Sequence, residues 1–121
     1  MVLFIQYPKC STCQKAKKWL DSHGAEYASR HIAEDNPQKA ELKTWIRKSG
    51  LPVKKFFNTS GMKYKELGLK DKLPDMTEDE QIALLATDGM LVKRPLVIGD
   101  DFILVGFKEN EWKEHFTSNK G

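Results

Sequence analysis

Lys9-Cys10-Ser11-Thr12-Cys13 places the two cysteines of this chain two residues apart, directly after the apolar run Val2 to Tyr7. Two thiols at that spacing can close into a disulfide and open again. At the mouth of a helix the first of them meets free N–H groups and the positive end of the helix dipole, both of which favour a thiolate. The strand-then-helix setting lifts the pattern above a bare C-x-x-C. Cys10 is the candidate nucleophile, with the charge of Lys9 beside it. Cys13, one turn further in, is expected to be more buried and more nearly neutral, which suits a resolving thiol that attacks an adduct on Cys10. Two other uses stand beside this one. The pair could be small core fillers, although filling explains neither the spacing nor the helix start. It could be half of a zinc site, whose other ligands would have to come from His23, His31 and His115, and these form no H-x-x-x-H pattern. No metal and no organic cofactor are expected.

Arg94-Pro95 is the second chemical feature. Proline directly before an apolar strand cannot donate a ladder hydrogen bond, and a cis bond there would fix a tight start to the strand. With that bond cis, Arg94 would face the cysteine loop and could hold an anionic substrate or the Cys10 thiolate. The competing reading of Arg94, preferred without the fold argument, is a solvated residue in a basic pair with Lys93.

The elements that must position these residues can be read along the chain. Val2 to Tyr7 fits a central strand buried on both faces. Ser11-x-x-Gln14 reads as a capping box, with Cys10 as the alternative cap, and Cys13, Ala16, Trp19 and Leu20 form the apolar face of a helix that Gly24 stops. Ala25 to Ile32 suggests a second, parallel strand completing a right-handed crossover. From Asn36 to Gly89 the pattern is helical: Asn36-Pro37 as a cap and first position, Leu42, Trp45 and Ile46 as a stripe ended by Gly50 and Pro52, a short face at Val53, Phe56 and Phe57, a short helix at Tyr64 and Leu67, and a helix opened by Thr77-x-x-Glu80. Leu96-Val97-Ile98 and Phe102-Ile103-Leu104-Val105 flank the turn Gly99-Asp100-Asp101 as a β-hairpin. Trp112 and Phe116 pack a last helix, and Thr117 to Gly121 reads as a frayed tail. The order is β-α-β, a helical insert at about 36–89, then β-β-α. This is the connectivity of a thioredoxin-like α/β domain with a mixed sheet.

At 121 residues, with 40% apolar and 31% charged side chains, the chain is expected to form one globular domain that needs no disulfide staple. No stretch approaches a membrane span, and Met1 to Ile5 lacks the features of a signal peptide, so the expected location is the cytosol, with no membrane partner. There a close cysteine pair is catalytic, redox-sensing or metal-binding rather than structural. The net charge of +3 is spread over scattered lysines, and the arginines are Arg30, Arg47 and Arg94. Lys54-Lys55 and Lys63 to Lys72 form a basic stretch that Glu66 and Asp71 interrupt, without an aromatic-basic signature. No direct nucleic-acid partner is expected.

Tyr7-Pro8-Lys9-Cys10-Ser11-Thr12-Cys13-Gln14-Lys15-Ala16, Phe57-Asn58-Thr59-Ser60-Gly61 with Tyr64-Lys65-Glu66-Leu67-Gly68-Leu69, and Lys93-Arg94-Pro95-Leu96-Val97 together resemble the arsenate reductase/Spx (ArsC-like) family over nearly the whole chain. The resemblance implies a thioredoxin-like fold with a helical insert and a cysteine-centred site. Cys10 matches the catalytic cysteine of the glutaredoxin-dependent arsenate reductases, and Arg94 matches the arginine before their cis-proline. Two departures stand out. Asn58 occupies the position of a first oxyanion-binding arginine, and Leu104-Val105-Gly106-Phe107 has no arginine where a third would lie. Cys13 is a cysteine where those reductases commonly lack one, so an internal disulfide becomes available. The expected activity is thiol-disulfide exchange by Cys10 and Cys13, with Arg94, Pro95, Ser11, Thr12 and Lys9 binding substrate or stabilising the thiolate. The partner is an external reductant, glutathione with glutaredoxin or thioredoxin. The alternatives are an Spx-like redox regulator that binds RNA polymerase, and a true arsenate reductase.

Overall fold

The chain alternates two kinds of local sequence, and the structure sorts them into two compact units. The computed structural model describes residues 1–116; the expected tail Thr117 to Gly121 lies outside the described residues. One unit joins Met1–His31 to the chain from Arg94 onward, and the other is Ile32–Lys93.

The first unit holds the strands. β1 (Val2–Gln6) is followed by α1 (Ser11–Ser22) and β2 (Tyr27–His31), and later by β3 (Leu96–Ile98), β4 (Ile103–Val105) and α6 (Glu109–Phe116). The sheet order is β2-β1-β3-β4. β1 pairs in parallel with β2, from Val2↔Tyr27 to Gln6↔His31, and antiparallel with β3 through Phe4↔Val97 and Ile5↔Leu96. β3 and β4 form the expected hairpin. The sheet is therefore mixed, and the apolar β1 is internal, as a run with both faces covered should be.

The core of this unit gathers Phe4, Ala16, Trp19, Leu20, Val97, Leu104 and Trp112. Trp112 is fully buried, donates its indole N–H to the Gly106 carbonyl at 3.2 Å, and meets Trp19 and Phe4 edge-on. The periodicity of α1 places Cys13 with Ala16, Trp19 and Leu20 on the buried face, so the second cysteine is packed by the same pattern that fixes the helix. Strand boundaries move inward: β1 ends at Gln6 rather than Tyr7 and β2 at His31 rather than Ile32. β2 begins at Tyr27 rather than Ala25, and β4 begins at Ile103 because Phe102 closes the turn, its carbonyl accepting from Gly99 N–H at 2.9 Å.

The second unit is helical. It contains α2 (Lys39–Ser49), α3 (Met62–Glu66), α4 (Leu69–Lys72) and α5 (Glu78–Leu85), with single 3₁₀ turns at Val53–Phe56, Leu73–Asp75 and Gly89–Leu91. Gly50 ends α2 at φ 71°, and Gly68 at φ 63° divides α3 from α4 where one short helix was expected. The capping box of α5 forms as read: Glu80 N–H donates to Thr77 Oγ1 at 3.1 Å and Thr77 N–H to Glu80 Oε1 at 2.8 Å.

The start of α2 corrects the sequence reading. Its cap is Gln38, whose N–H donates to Glu41 Oε1 at 3.0 Å, while Asn36 sends its amide to the Ala86 carbonyl at 2.8 Å. A tertiary acceptor outcompetes the local capping role. Among the described residues no helix is long and apolar enough to cross a membrane.

Candidate active site

β1 ends at Gln6 and the chain turns through Tyr7, Pro8 and Lys9 into α1, with Cys10 N–H donating to the Tyr7 carbonyl at 2.9 Å. That bond closes a tight turn and delivers Cys10 to the N-cap. The cap is Cys10 itself, not Ser11: the Cys13 N–H donates to Cys10 Sγ at 3.4 Å. Gln14, expected as the reciprocal half of a capping box, instead donates its side-chain amide to the Pro8 carbonyl at 2.9 Å and clips the turn onto the helix. A thiol outside the usual cap set thus receives one of the orphan amides of the first turn.

The consequence is electrostatic. Partial burial raises the Cys10 pKa, but the Cys13 amide, the Cys13 thiol, the charge of Arg94 and the Thr12 amide outweigh it, and the net shift is downward from 9.0. Cys13 moves the other way. It is fully buried, and that burial, with the neighbouring Cys10, pushes its thiol up to about 12 against the opposing Tyr7 amide and Arg94. The two thiols are chemically unequal: one half-buried and acidified, the other buried and held protonated. Both are free thiols here.

Arg94 precedes a cis peptide bond to Pro95, an isomer the strand-initiating proline left open. Pro95 is buried, and its carbonyl accepts from Gly106 N–H at 2.8 Å, which ties the start of β3 to the end of β4. The antiparallel register Ile5↔Leu96 brings Arg94 and Pro95, the two residues before β3, alongside the end of β1. The Arg94 guanidinium carbon lies 5.4 Å from the Tyr7 ring centroid, within cation–π range. Arg94 thereby joins the two cysteines, on which its charge acts.

Ser11, Thr12 and Lys9 line the same turn with exposed side chains, and Thr12 contributes through its backbone amide. Tyr7 is the residue that sequence reasoning passed over. It closed an apolar run, and its ring contacts to Arg94 and His31 are long-range, so no periodicity announced them. Asn58 belongs to the helical unit, where its N–H donates to the Leu91 carbonyl at 2.8 Å. No group of three or more His, Cys, Asp or Glu suited to a metal occurs among the described residues.

Sheet order, the cysteine at the first helix and the cis-proline together place the protein in the thioredoxin-like class. Within that class the chain belongs to the ArsC family, which it matches over residues 5–115. A crystal structure of an ArsC-family-related protein from Bacteroides fragilis is 67% identical, superposes with a TM-score of 0.92, and is matched over 93% of this chain and 95% of its own. A protein from Streptococcus mutans described as a possible arsenate reductase is 44% identical, with a TM-score of 0.85 and coverage of 93% and 98%. The Bacillus subtilis protein YusI, described as uncharacterized, is 60% identical over 94% of this chain and 97% of its own. The global transcriptional regulator Spx of Staphylococcus epidermidis is 27% identical, over 92% and 83%.

Proposed function

We propose that the protein is a thiol-disulfide oxidoreductase in which Cys10 attacks and Cys13 resolves. The observation that carries this reading is the asymmetry of the two thiols: Cys10 acidified by the helix amides and Arg94, Cys13 buried and pushed up to about 12. In the first step the Cys10 thiolate attacks one sulfur of a substrate disulfide, the S–S bond breaks, and the departing thiolate leaves. In the second, Cys13 loses its proton to that departing thiolate and attacks Cys10 Sγ, releasing the other half of the substrate as a thiolate. The substrate gains two electrons and the protein holds a Cys10–Cys13 disulfide. The Cys13 N–H already donates to Cys10 Sγ at 3.4 Å, so the two thiols share one turn, and the bond forms when their Cβ atoms reach the roughly 3.5–4.5 Å of a disulfide.

An external cytosolic dithiol, of the glutaredoxin or thioredoxin kind, or glutathione, returns the pair to the reduced state. Arg94, Pro95, Ser11, Thr12 and Lys9 frame the substrate sulfur in this reading. The test is a disulfide-reduction assay coupled to each reductant, run beside a pH titration of the Cys10 thiolate. Turnover that Cys10→Ser abolishes supports the proposal. A Cys10 midpoint at the free-thiol value together with no thiol-dependent turnover would refute it.

The likeness to Spx favours a second reading, a regulator that binds RNA polymerase and is switched by the same pair. Recovery of polymerase subunits from a lysate by the oxidised but not the reduced protein would support it. Arsenate reduction ranks third, because Asn58 and residues 104–107 supply no arginine for the oxyanion. A coupled assay with arsenate decides it.

A further inference from the structure

We infer that Tyr7 is the positioning residue of this site: its ring holds the Arg94 guanidinium beside the turn that carries Cys10. The inference rests on the reading of Cys10 as the reactive thiol. Arginine carries many rotamers, and its field on a neighbouring sulfur depends on which of them is held. Here the guanidinium carbon lies over the Tyr7 ring, 5.4 Å from its centroid. The quadrupole of the ring attracts the cation held over its face, which narrows the rotamers the arginine samples. The ring is itself braced, meeting the edge of His31 at 5.6 Å and 89°. His31 is the last residue of β2 and pairs with Gln6, the residue before Tyr7, so the brace is part of the sheet.

Ring and backbone of Tyr7 do separate work. Its carbonyl accepts from Cys10 N–H at 2.9 Å, and its amide opposes the upward shift of the Cys13 thiol. Any residue other than proline supplies those backbone groups. Only an aromatic face supplies the platform for Arg94. Substituting the side chain therefore tests the platform without removing the turn.

The experiment is a titration of ultraviolet thiolate absorbance between about pH 5 and 10 on the reduced protein and its variants Tyr7→Leu, Tyr7→Phe, Arg94→Met and Tyr7→Leu/Arg94→Met, with far-UV circular dichroism confirming the fold of each. Arg94→Met is expected to raise the Cys10 midpoint. Tyr7→Leu is expected to raise it by about half a unit, roughly threefold less thiolate below the midpoint. Tyr7→Phe keeps the aromatic face and should restore the parent value. In the Arg94→Met background Tyr7→Leu should add nothing, a coupling that loosened packing alone would not produce. If Tyr7→Leu does not fold, Tyr7→Met, of similar length and without an aromatic face, carries the same comparison. An equal shift with and without Arg94, or no shift from Tyr7→Leu while Arg94→Met gives one, overturns the inference and leaves the Cys10 reading standing. A parent midpoint at the free-thiol value overturns both.

Discussion

Replacing Cys13 with alanine should abolish a specific alkaline loss of stability. The folded protein holds the Cys13 thiol at about 12 against an ordinary value of 9.0, because the sulfur is fully buried. Below pH 9 both folded and unfolded chains keep the proton and the difference has no effect. Above pH 9 the unfolded chain releases it while the folded one retains it, so stability falls with pH, approaching about 1.4 kcal/mol per unit. Between pH 7 and 11 this single group removes about 2–3 kcal/mol, a large share of the 5–15 kcal/mol typical of a domain. Cys10 acts with the opposite sign, since its folded pKa is depressed: its contribution is complete above 9.0 and is lost as pH falls through the folded value. The assay is urea unfolding of the fully reduced parent and Cys13→Ala across that range. Alanine removes a buried sulfur at a cost of about 1 kcal/mol that does not vary with pH, so the curves should converge and cross as pH rises. Parallel curves would refute the claim that burial holds this thiol protonated.

Cys13→Ser should leave Cys10 able to attack and unable to release, so incubation with a disulfide substrate should give a stable mixed disulfide on Cys10 by intact mass spectrometry, where the parent gives an internal disulfide. Trp112→Ala removes the fully buried centre of the aromatic cluster and should cost about 3–5 kcal/mol in denaturant unfolding. Gly89→Ala would drive a Cβ into the Ile32 carbonyl oxygen, which is backbone and cannot rotate away; a loss of about 3 kcal/mol or more is expected in the same measurement. Thr77→Ala removes the hydroxyl that caps α5 and should cost only about 1 kcal/mol.

The sequence carried the parts of this fold that depend on local pattern. An apolar run, a 3.6-residue stripe and a Gly-Asp-Asp turn sufficed for β1, α1 and the hairpin, because each buries its own face. It carried less where a distant group decides. Asn36 looks like a helix cap until the Ala86 carbonyl is there to take its amide, and Ser11 looks like one until the thiol beside it takes the Cys13 N–H. In the site, the cysteines and Arg94-Pro95 announced themselves by residue type. Tyr7 did not, since an aromatic at a strand end is ordinary and its meaning comes from an arginine far along the chain, just before β3.

The unit that holds the cysteines is made from two separated stretches, Met1–His31 and the chain from Arg94 onward. A growing chain leaving the ribosome exposes Cys10 early, and α1 alone can offer it the local amides. Arg94 joins only after the whole intervening segment has been synthesised and β3 has paired with β1 in the Ile5↔Leu96 register. The field of the arginine on the sulfur is thus a signature of a finished molecule. A nascent or truncated chain carries the same two thiols without the arginine's share of that acidity.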